Sequence, residues 1–126
     1  KVEKELIRML ESNNDTLIGE TLVKMKSTNS LKNLKHRLKL SESFSEKVKW
    51  ATFINSVNYG DNEMEELIYN EFKKFTFIKG VQGIIFYDLI KFKSERINKI
   101  IESYTNHKYF LVSNTAKKVL KSYSSN

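Results

Sequence analysis

Apolar residues recur along this chain at intervals of three and four positions, the spacing that places side chains on one face of an α-helix. Short polar segments separate these stretches, and the pattern predicts eight helices and an all-α fold. They are centred on residues 6–10, 17–25, 31–40, 48–57, 64–72, 78–89, 97–101 and 112–120. The one β-prone stretch, residues 73–78, joins two helical patterns, so we expect a tight interhelical turn there.

Polar residues that favour helix ends stand at the boundaries of these stretches. The predicted N-caps are Asp15, Ser43, Asp61 and Ser94. A side-chain oxygen at such a position accepts a backbone N–H of the first helical turn. Glu46 follows Ser43 with the spacing of a capping box, and Gly60 suits the left-handed residue that ends many helices. These signals predict where the helices begin and end.

The second helix of each predicted pair starts with an apolar residue in a comparable setting. These residues are Ile18, Val48, Ile78 and Val112. The first two steps are 30 residues each and the third is 34 residues. Equal steps of this length are typical of helical repeat proteins, in which each hairpin buries its apolar face against the next. We therefore predict one α-helical repeat domain over residues 1–126.

Two stretches carry a family resemblance, residues 97–120 (INKIIESYTNHKYFLVSNTAKKVL) and 6–25 (LIRMLESNNDTLIGETLVKM). The first has an apolar helix, a polar turn ending near His107, Val112 at the start of the next helix, and Ala116 at a close-packing position. This arrangement resembles HEAT-like and armadillo-like repeats. The resemblance implies a right-handed stack of about four helical hairpins, an α-α superhelix. The alternative is an irregular helical bundle.

Composition restricts the chemistry of the chain. It contains no cysteine and no proline. The first absence excludes disulfides, thiolate zinc sites and a cysteine nucleophile, and the second suits a mostly helical chain with short connections. No stretch approaches the ~20 apolar residues of a membrane span, and no secretory signal is visible. We therefore expect no membrane span and a cytoplasmic location.

Residues able to do catalytic or ligand-binding work are scattered. His36, between two basic residues, is expected to be solvated, and His107 is expected to cap a turn or face water. Residues 80–83 have the Gly-x-x-Gly spacing that clamps nucleic acid in KH domains. Here the two glycines interrupt an apolar helical pattern, so we expect a close helix–helix approach instead. The sequence thus predicts no catalytic residue, no metal ligand and no cofactor site.

Carboxylates cluster in one segment only, which holds Asp61, Glu63, Glu65, Glu66 and Glu71. Paired carboxylates can perform acid–base chemistry or hold a hard metal ion. However, negative charge in the first turn of a helix is stabilised by the helix macrodipole, which is the simpler reason for the cluster. We expect a protein without enzymatic activity, and an unrecognised active site in residues 63–71 is the alternative.

The formal net charge is +7, and it is unevenly distributed. Residues 24–49 and 91–121 each hold eight Lys or Arg against two Glu, with the acidic cluster between them. Basic surfaces of this kind attract acidic proteins, nucleic acids or anionic membranes. A Lys-rich composition inherited from an AT-rich genome explains the charge equally well. Only three residues are arginine, the residue that dominates phosphate and base recognition, which argues against nucleic acid.

The function we expect is therefore a non-enzymatic binding module, such as an inhibitor, an immunity protein for a toxin or an adaptor, whose partner has an acidic surface. The residues expected to bind the partner are Lys35, Arg37, Lys39, Lys47, Lys49, Tyr59 and Tyr109. No cofactor or small-molecule substrate is expected. The alternative is a HEAT-like nucleic-acid-binding protein, similar in outline to the HEAT-like alkylpurine DNA glycosylases but shorter and without an assignable catalytic aspartate.

Overall fold

A computed structural model describes residues 1–58, 62–76 and 85–124 of the chain. Within these ranges every regular element is helical and none is a strand, which confirms the predicted all-α class. The helices are α1 (Val2–Met9), α2 (Thr16–Lys24), α3 (Leu31–Lys39), α4 (Phe44–Val57), α5 (Glu63–Phe72), α6 (Phe86–Leu89), α7 (Glu95–Ser103) and α8 (Phe110–Ser124). Two 3₁₀ turns, Thr28–Ser30 and Ile90–Phe92, precede α3 and follow α6.

Contacts group the chain into two compact units, residues 1–64 and 65–126, and the boundary falls inside α5. In the first unit α1 packs on α2, and α3 packs on α4. The second unit contains the α7–α8 hairpin and the contact of α6 with α8. This division does not test whether residues 1–126 form one domain, which stays a prediction.

Three of the predicted N-caps are confirmed. The Asp15 carboxylate accepts the N–H of Leu17 at 2.9 Å. The hydroxyl of Ser43 accepts the N–H of Glu46 at 3.1 Å. The hydroxyl of Ser94 accepts the N–H of Ile97 at 3.2 Å. The fourth predicted cap, Asp61, lies outside the described residues, as does Gly60.

The capping box at α4 closes differently from the prediction. The Glu46 carboxylate lies 3.5 Å from the backbone nitrogen of Glu42, the residue before the cap, whereas a capping box returns to the cap residue itself. The cap therefore depends mainly on the hydroxyl of Ser43.

The core of the first unit forms where α2 crosses α4 at Gly19. A Cβ at this position would lie 2.3 Å from Phe53 Cδ2 and 3.0 Å from Trp50 Cζ3. Both distances are shorter than a van der Waals contact, so a Cβ would overlap with the two rings. The rings of Trp50 and Phe53 meet edge to face, with centroids 5.4 Å apart. Both side chains are buried, so the absence of a Cβ at residue 19 lets the two helices approach this closely.

The second unit is built around three rings. Phe72 stacks on Tyr104 with a centroid separation of 5.9 Å, and Phe86 lies 6.4 Å from Phe72 and 5.7 Å from Tyr104. Phe72 and Phe86 are fully buried. The hydroxyl of Tyr104 donates to the carbonyl oxygen of Phe75 at 3.2 Å, and partial burial raises the pKa of this phenol.

The predicted turn over 73–78 and the predicted helix over 78–89 are described in part. Residues 73–76 are not a strand, and the Lys74 N–H donates to the Glu71 carbonyl at 3.1 Å in a turn after α5. Residues 77–84, which include the Gly80–Gly83 segment and the repeat position Ile78, lie outside the described residues. The described end of the sixth predicted helix is α6, and it passes through a 3₁₀ turn to Lys93, whose φ of 52° is left-handed.

Candidate functional site

The seven residues predicted to bind a partner belong to different elements, and six of them are among the described residues. Lys35, Arg37 and Lys39 lie on α3, while Lys47 and Lys49 lie on α4. Tyr109 belongs to the second unit, immediately before α8. Tyr59 lies outside the described residues.

Arg37 differs from its lysine neighbours, because its guanidinium group is used inside the first unit. It donates to the carbonyl oxygen of Leu10, from Nε at 3.0 Å and also from Nη2. Leu10 is the C-terminal cap of α1, where carbonyl oxygens have no helical partner. Arg37 therefore links the end of α1 to α3, and its charge is directed at this carbonyl group.

The lysines of α3 line a shallow open depression of about 620 Å³ on the first unit. Its lining residues are Thr28, Asn29, Leu31, Lys32, Lys35, His36 and Lys39, and this set is called the α3 basic face below. Residues 32, 35, 36 and 39 share one side of the helix, because side chains three and four positions apart are neighbours. The surface thus presents three ammonium groups and one imidazole, with a hydroxyl and an amide at one end.

Helix electrostatics explain only one of these three lysines. Cations in the last turn are stabilised by the macrodipole, which accounts for Lys39. Lys32 lies in the first turn, where the same dipole disfavours a positive charge and where α3 has no acidic residue. Like charges at these spacings also repel each other by about 0.2–0.5 kcal/mol per pair. The α3 basic face therefore costs some stability, and an acidic ligand would remove that cost.

One ion pair partly offsets this repulsion. Lys35 Nζ lies 2.9 Å from Glu63 Oε1, and the side chains are 37% and 55% exposed. An ion pair this exposed contributes less than about 1 kcal/mol. Lys35 can therefore exchange Glu63 for a carboxylate of a partner at little cost.

The other predicted residues contact their own neighbours. Lys49 Nζ lies 6.0 Å from the ring centroid of Phe53. The Tyr109 N–H donates to His107 Nδ1 at 3.1 Å, and the two rings are 5.0 Å apart. His107 thus caps a turn, as predicted, and it holds Tyr109 in a half-buried position. These residues shape their own units and do not line the α3 basic face.

Sequence reasoning included Lys35 and Lys39 of the α3 basic face but missed Lys32, Thr28 and Asn29. The spacing of 32, 35 and 39 is visible in the sequence and would have added Lys32. Thr28 and Asn29 precede α3 in a 3₁₀ turn, and nothing in their sequence separates them from an ordinary connection.

The acidic segment of α5 carries its own cationic partners. Glu65 accepts two bonds from the Arg96 guanidinium, at 2.8 Å from Nε and 2.7 Å from Nη2, and one from the Ser94 hydroxyl at 2.5 Å. The guanidinium also lies over the ring of Tyr69, 4.2 Å from its centroid. These bonds, chiefly the one from Arg96, hold the pKa of Glu65 below its ordinary value. Glu65 thereby connects α5 to the start of α7.

We expect Glu65→Gln to lower the free energy of unfolding by about 1 kcal/mol at neutral pH, because charge-assisted bonds of a half-exposed guanidinium are lost. Since folding lowers the pKa of Glu65, its contribution is complete above the ordinary glutamate pKa and disappears as the pH falls through the lowered one. Urea unfolding at neutral and acidic pH would measure this, with the curves of variant and wild type converging in acid. Glu102→Gln, an exposed change on α7, is the control, and an equal loss there would contradict the assignment.

Groups of three or more His, Cys, Asp or Glu side chains that could hold a metal ion are not found within residues 1–58, 62–76 and 85–124. Over the same part of the chain, none of the helices has the length and apolar character needed to cross a membrane. No family model, curated protein or solved structure matches this chain.

Proposed function

We propose that this chain is a non-enzymatic binding module that receives an acidic protein on the α3 basic face, in the manner of an inhibitor, an immunity protein or an adaptor. The observation that carries the proposal is the row of Lys32, Lys35 and Lys39 along an open depression of about 620 Å³. Such a row of exposed cations is a surface that speeds and orients association with a complementary, negatively charged one.

The kind of cation favours an acidic protein over nucleic acid. Arginine provides the planar, bidentate contacts that nucleic-acid recognition uses most. Arg8 pairs with Glu5, and Arg37 and Arg96 are engaged as described above. Using Arg37 or Arg96 on a phosphate backbone would break bonds that connect α1 to α3 and α5 to α7, whereas the exposed Arg8–Glu5 pair lies within α1. The exposed lysines carry compact, hydrated charges, which attract carboxylates without requiring a fixed geometry.

We also infer that the hairpins are stacked as in HEAT-like repeats, in the right-handed α-α superhelix that the resemblance implies. In such repeats the second helices of successive hairpins pack on each other. The contacts of α2 with α4 in the first unit, and of α6 with α8 in the second, have this pattern. The α3 basic face then lies on a first helix of a hairpin.

Charge reversal on this face is expected to abolish binding to acidic chains. Lys32→Glu/Lys39→Glu places one new carboxylate in the first turn of α3, where the macrodipole favours it, and one in the last turn, where it does not. The two effects on helix stability offset each other, so the variant should fold. We expect its affinity for fluorescent poly-L-glutamate to fall by more than about tenfold, measured by anisotropy at about 0.15 M ionic strength.

The matched control is Lys4→Glu/Lys24→Glu, which changes the net charge equally at exposed positions outside the α3 basic face. It should retain affinity within about threefold, since neither lysine lines the depression and exposed charges outside it are partly screened. An equal loss in both variants would mean that only net charge matters, and the proposal would be wrong. Tighter binding to an oligonucleotide of equal charge, with a steep salt dependence, would favour the nucleic-acid alternative.

Capture from a nuclease-treated lysate at low salt would then identify the partner. The protein sought is one retained by wild type and by the Lys4→Glu/Lys24→Glu control but lost with Lys32→Glu/Lys39→Glu. Arg37 is left unchanged in this experiment, because reversing its charge would also break the bond to the Leu10 carbonyl.

A further inference from the structure

A second basic surface lies on the outward side of α8. This helix, Phe110–Ser124, contains no acidic residue. Its inward side is formed by Val112, Ala116 and Val119, which are buried. The outward side carries three exposed lysines, Lys117, Lys118 and Lys121. The macrodipole accounts for Lys121, which lies in the last turn, but not for the pair in the middle of the helix.

An exposed apolar pair stands at the other end of the same helix. Phe110 is 72% exposed, the highest value among the large hydrophobic residues that the structure describes, and Leu111 is 51% exposed. Phe110 precedes Lys117 by seven positions and Lys121 by eleven, so all three lie on one side of the helix. Phe110, Leu111, Lys117, Lys118 and Lys121 are called the α8 basic face below.

Nothing within the second unit explains this exposure, because the packing of α8 uses the opposite side. Leaving a phenylalanine side chain in water is unfavourable relative to burying it. The α8 basic face therefore combines an apolar tip with a cationic stretch, and from Phe110 to Lys121 it extends for roughly 16 Å along the helix, at about 1.5 Å per residue.

We propose that the α8 basic face docks on an anionic lipid bilayer, with Phe110 and Leu111 entering the headgroup region and the lysines lying against acidic lipids. Each lysine near such a membrane increases the partition of the protein onto the bilayer about fivefold. This attraction requires no fixed geometry between the lysine and the lipid headgroup. Apolar side chains gain by leaving water for the interface.

A bilayer suits this surface better than a protein does. The apolar anchors of a protein interface enter pockets of the partner. The apolar residues of the α8 basic face instead stand at the tip of a single helix, the same helix that carries the lysines. A fluid lipid surface adapts to such a protrusion, whereas a protein partner would have to provide a matching cavity.

The test uses the full chain and sedimentation with large unilamellar vesicles. We expect binding to phosphatidylcholine vesicles that contain about 30% phosphatidylserine, and a steep decrease with added salt. We expect no measurable binding to vesicles of phosphatidylcholine alone. Absence of binding to the phosphatidylserine vesicles at low salt would overturn the proposal.

Variants distinguish the two components of the surface. Lys117→Gln/Lys118→Gln should weaken partition by roughly 25-fold, and Phe110→Ser should weaken it by roughly tenfold. Because all these positions are exposed, we expect the far-UV circular dichroism to stay unchanged.

The matched controls lie on the first unit. Leu17→Ser replaces a leucine that is 62% exposed, and Lys32→Gln/Lys39→Gln removes the same charge from the α3 basic face. Both should bind vesicles within about threefold of wild type. An equal loss of vesicle binding with Lys32→Gln/Lys39→Gln would mean that only the net charge of the protein matters. Unchanged binding of Phe110→Ser would mean that Phe110 does not enter the headgroup region. Either result overturns the proposal without affecting that for the α3 basic face, which is tested on poly-L-glutamate.

Discussion

Gly19→Val is expected to lower the free energy of unfolding by roughly 3 kcal/mol or more, and Gly19→Ala by about 2 kcal/mol. Alanine and valine are better helix formers than glycine, by up to about 1 kcal/mol, so local propensity alone would predict a gain. The gain is outweighed because the new Cβ would lie 2.3 Å from Phe53 Cδ2. The buried ring cannot move aside, since Trp50 lies against it.

Denaturant unfolding followed by far-UV circular dichroism and by fluorescence would measure this loss. Trp50 is the only tryptophan of the chain, so the fluorescence reports directly on the α2–α4 contact. Glu20→Ala changes an exposed neighbour on the same helix and should shift stability by less than about 0.5 kcal/mol.

A double variant separates steric overlap from any general sensitivity of α2. If the overlap is the cause, Gly19→Ala/Phe53→Ala should be less destabilised than the sum of the single variants, because the ring that blocks the Cβ is gone. Additive losses, or a stabilised Gly19→Ala, would mean that α2 and α4 are not in this close contact.

Phe72→Ala is the second large effect, with an expected loss of roughly 4 kcal/mol. Phe72 is fully buried, and its ring contacts those of Tyr104 and Phe86. Removing it deletes the ring contacts and leaves a cavity that the short α6 and its 3₁₀ turn are poorly placed to fill. Such losses exceed those of an ordinary exposed substitution several times over.

Thermal and denaturant unfolding followed by circular dichroism would test this prediction. Phe72→Leu keeps an apolar side chain in the same place and should cost clearly less than alanine. Lys74→Ala, at an exposed position two residues later, should be nearly neutral. A loss below about 1 kcal/mol for Phe72→Ala would show that the three rings are not packed together.

Helix boundaries were the most predictable part of the fold. Asp15, Ser43 and Ser94 cap helices as their positions in the sequence indicate, because a cap uses atoms within two or three residues of itself. The predicted helix over 78–89 is described only from residue 85, and its last part tightens into a 3₁₀ turn ended by Lys93. Local chemistry therefore predicted the N-terminal ends of these helices better than their C-terminal ends.

The candidate surface was predictable in part. The excess of lysine in residues 24–49 pointed to the region that contains the α3 basic face, to which Lys35 and Lys39 belong. Arg37 lies between them in the sequence, yet its guanidinium bonds to the carbonyl of Leu10. A helix turns by about 100° per residue, so neighbours in a basic run face different surroundings. Phe110 was missed because its exposure depends on which side of α8 is buried.

The sequence by itself determined the all-α class, the order of the helices and three of their N-caps, because periodicity and capping depend on interactions between residues a few positions apart. Only the tertiary structure decided the division into two compact units, the approach of α2 to α4 at Gly19, and the engagement of Arg37 by Leu10 and of Arg96 by Glu65. These features join residues distant in the chain, and their energies depend on shape and burial that no local pattern records.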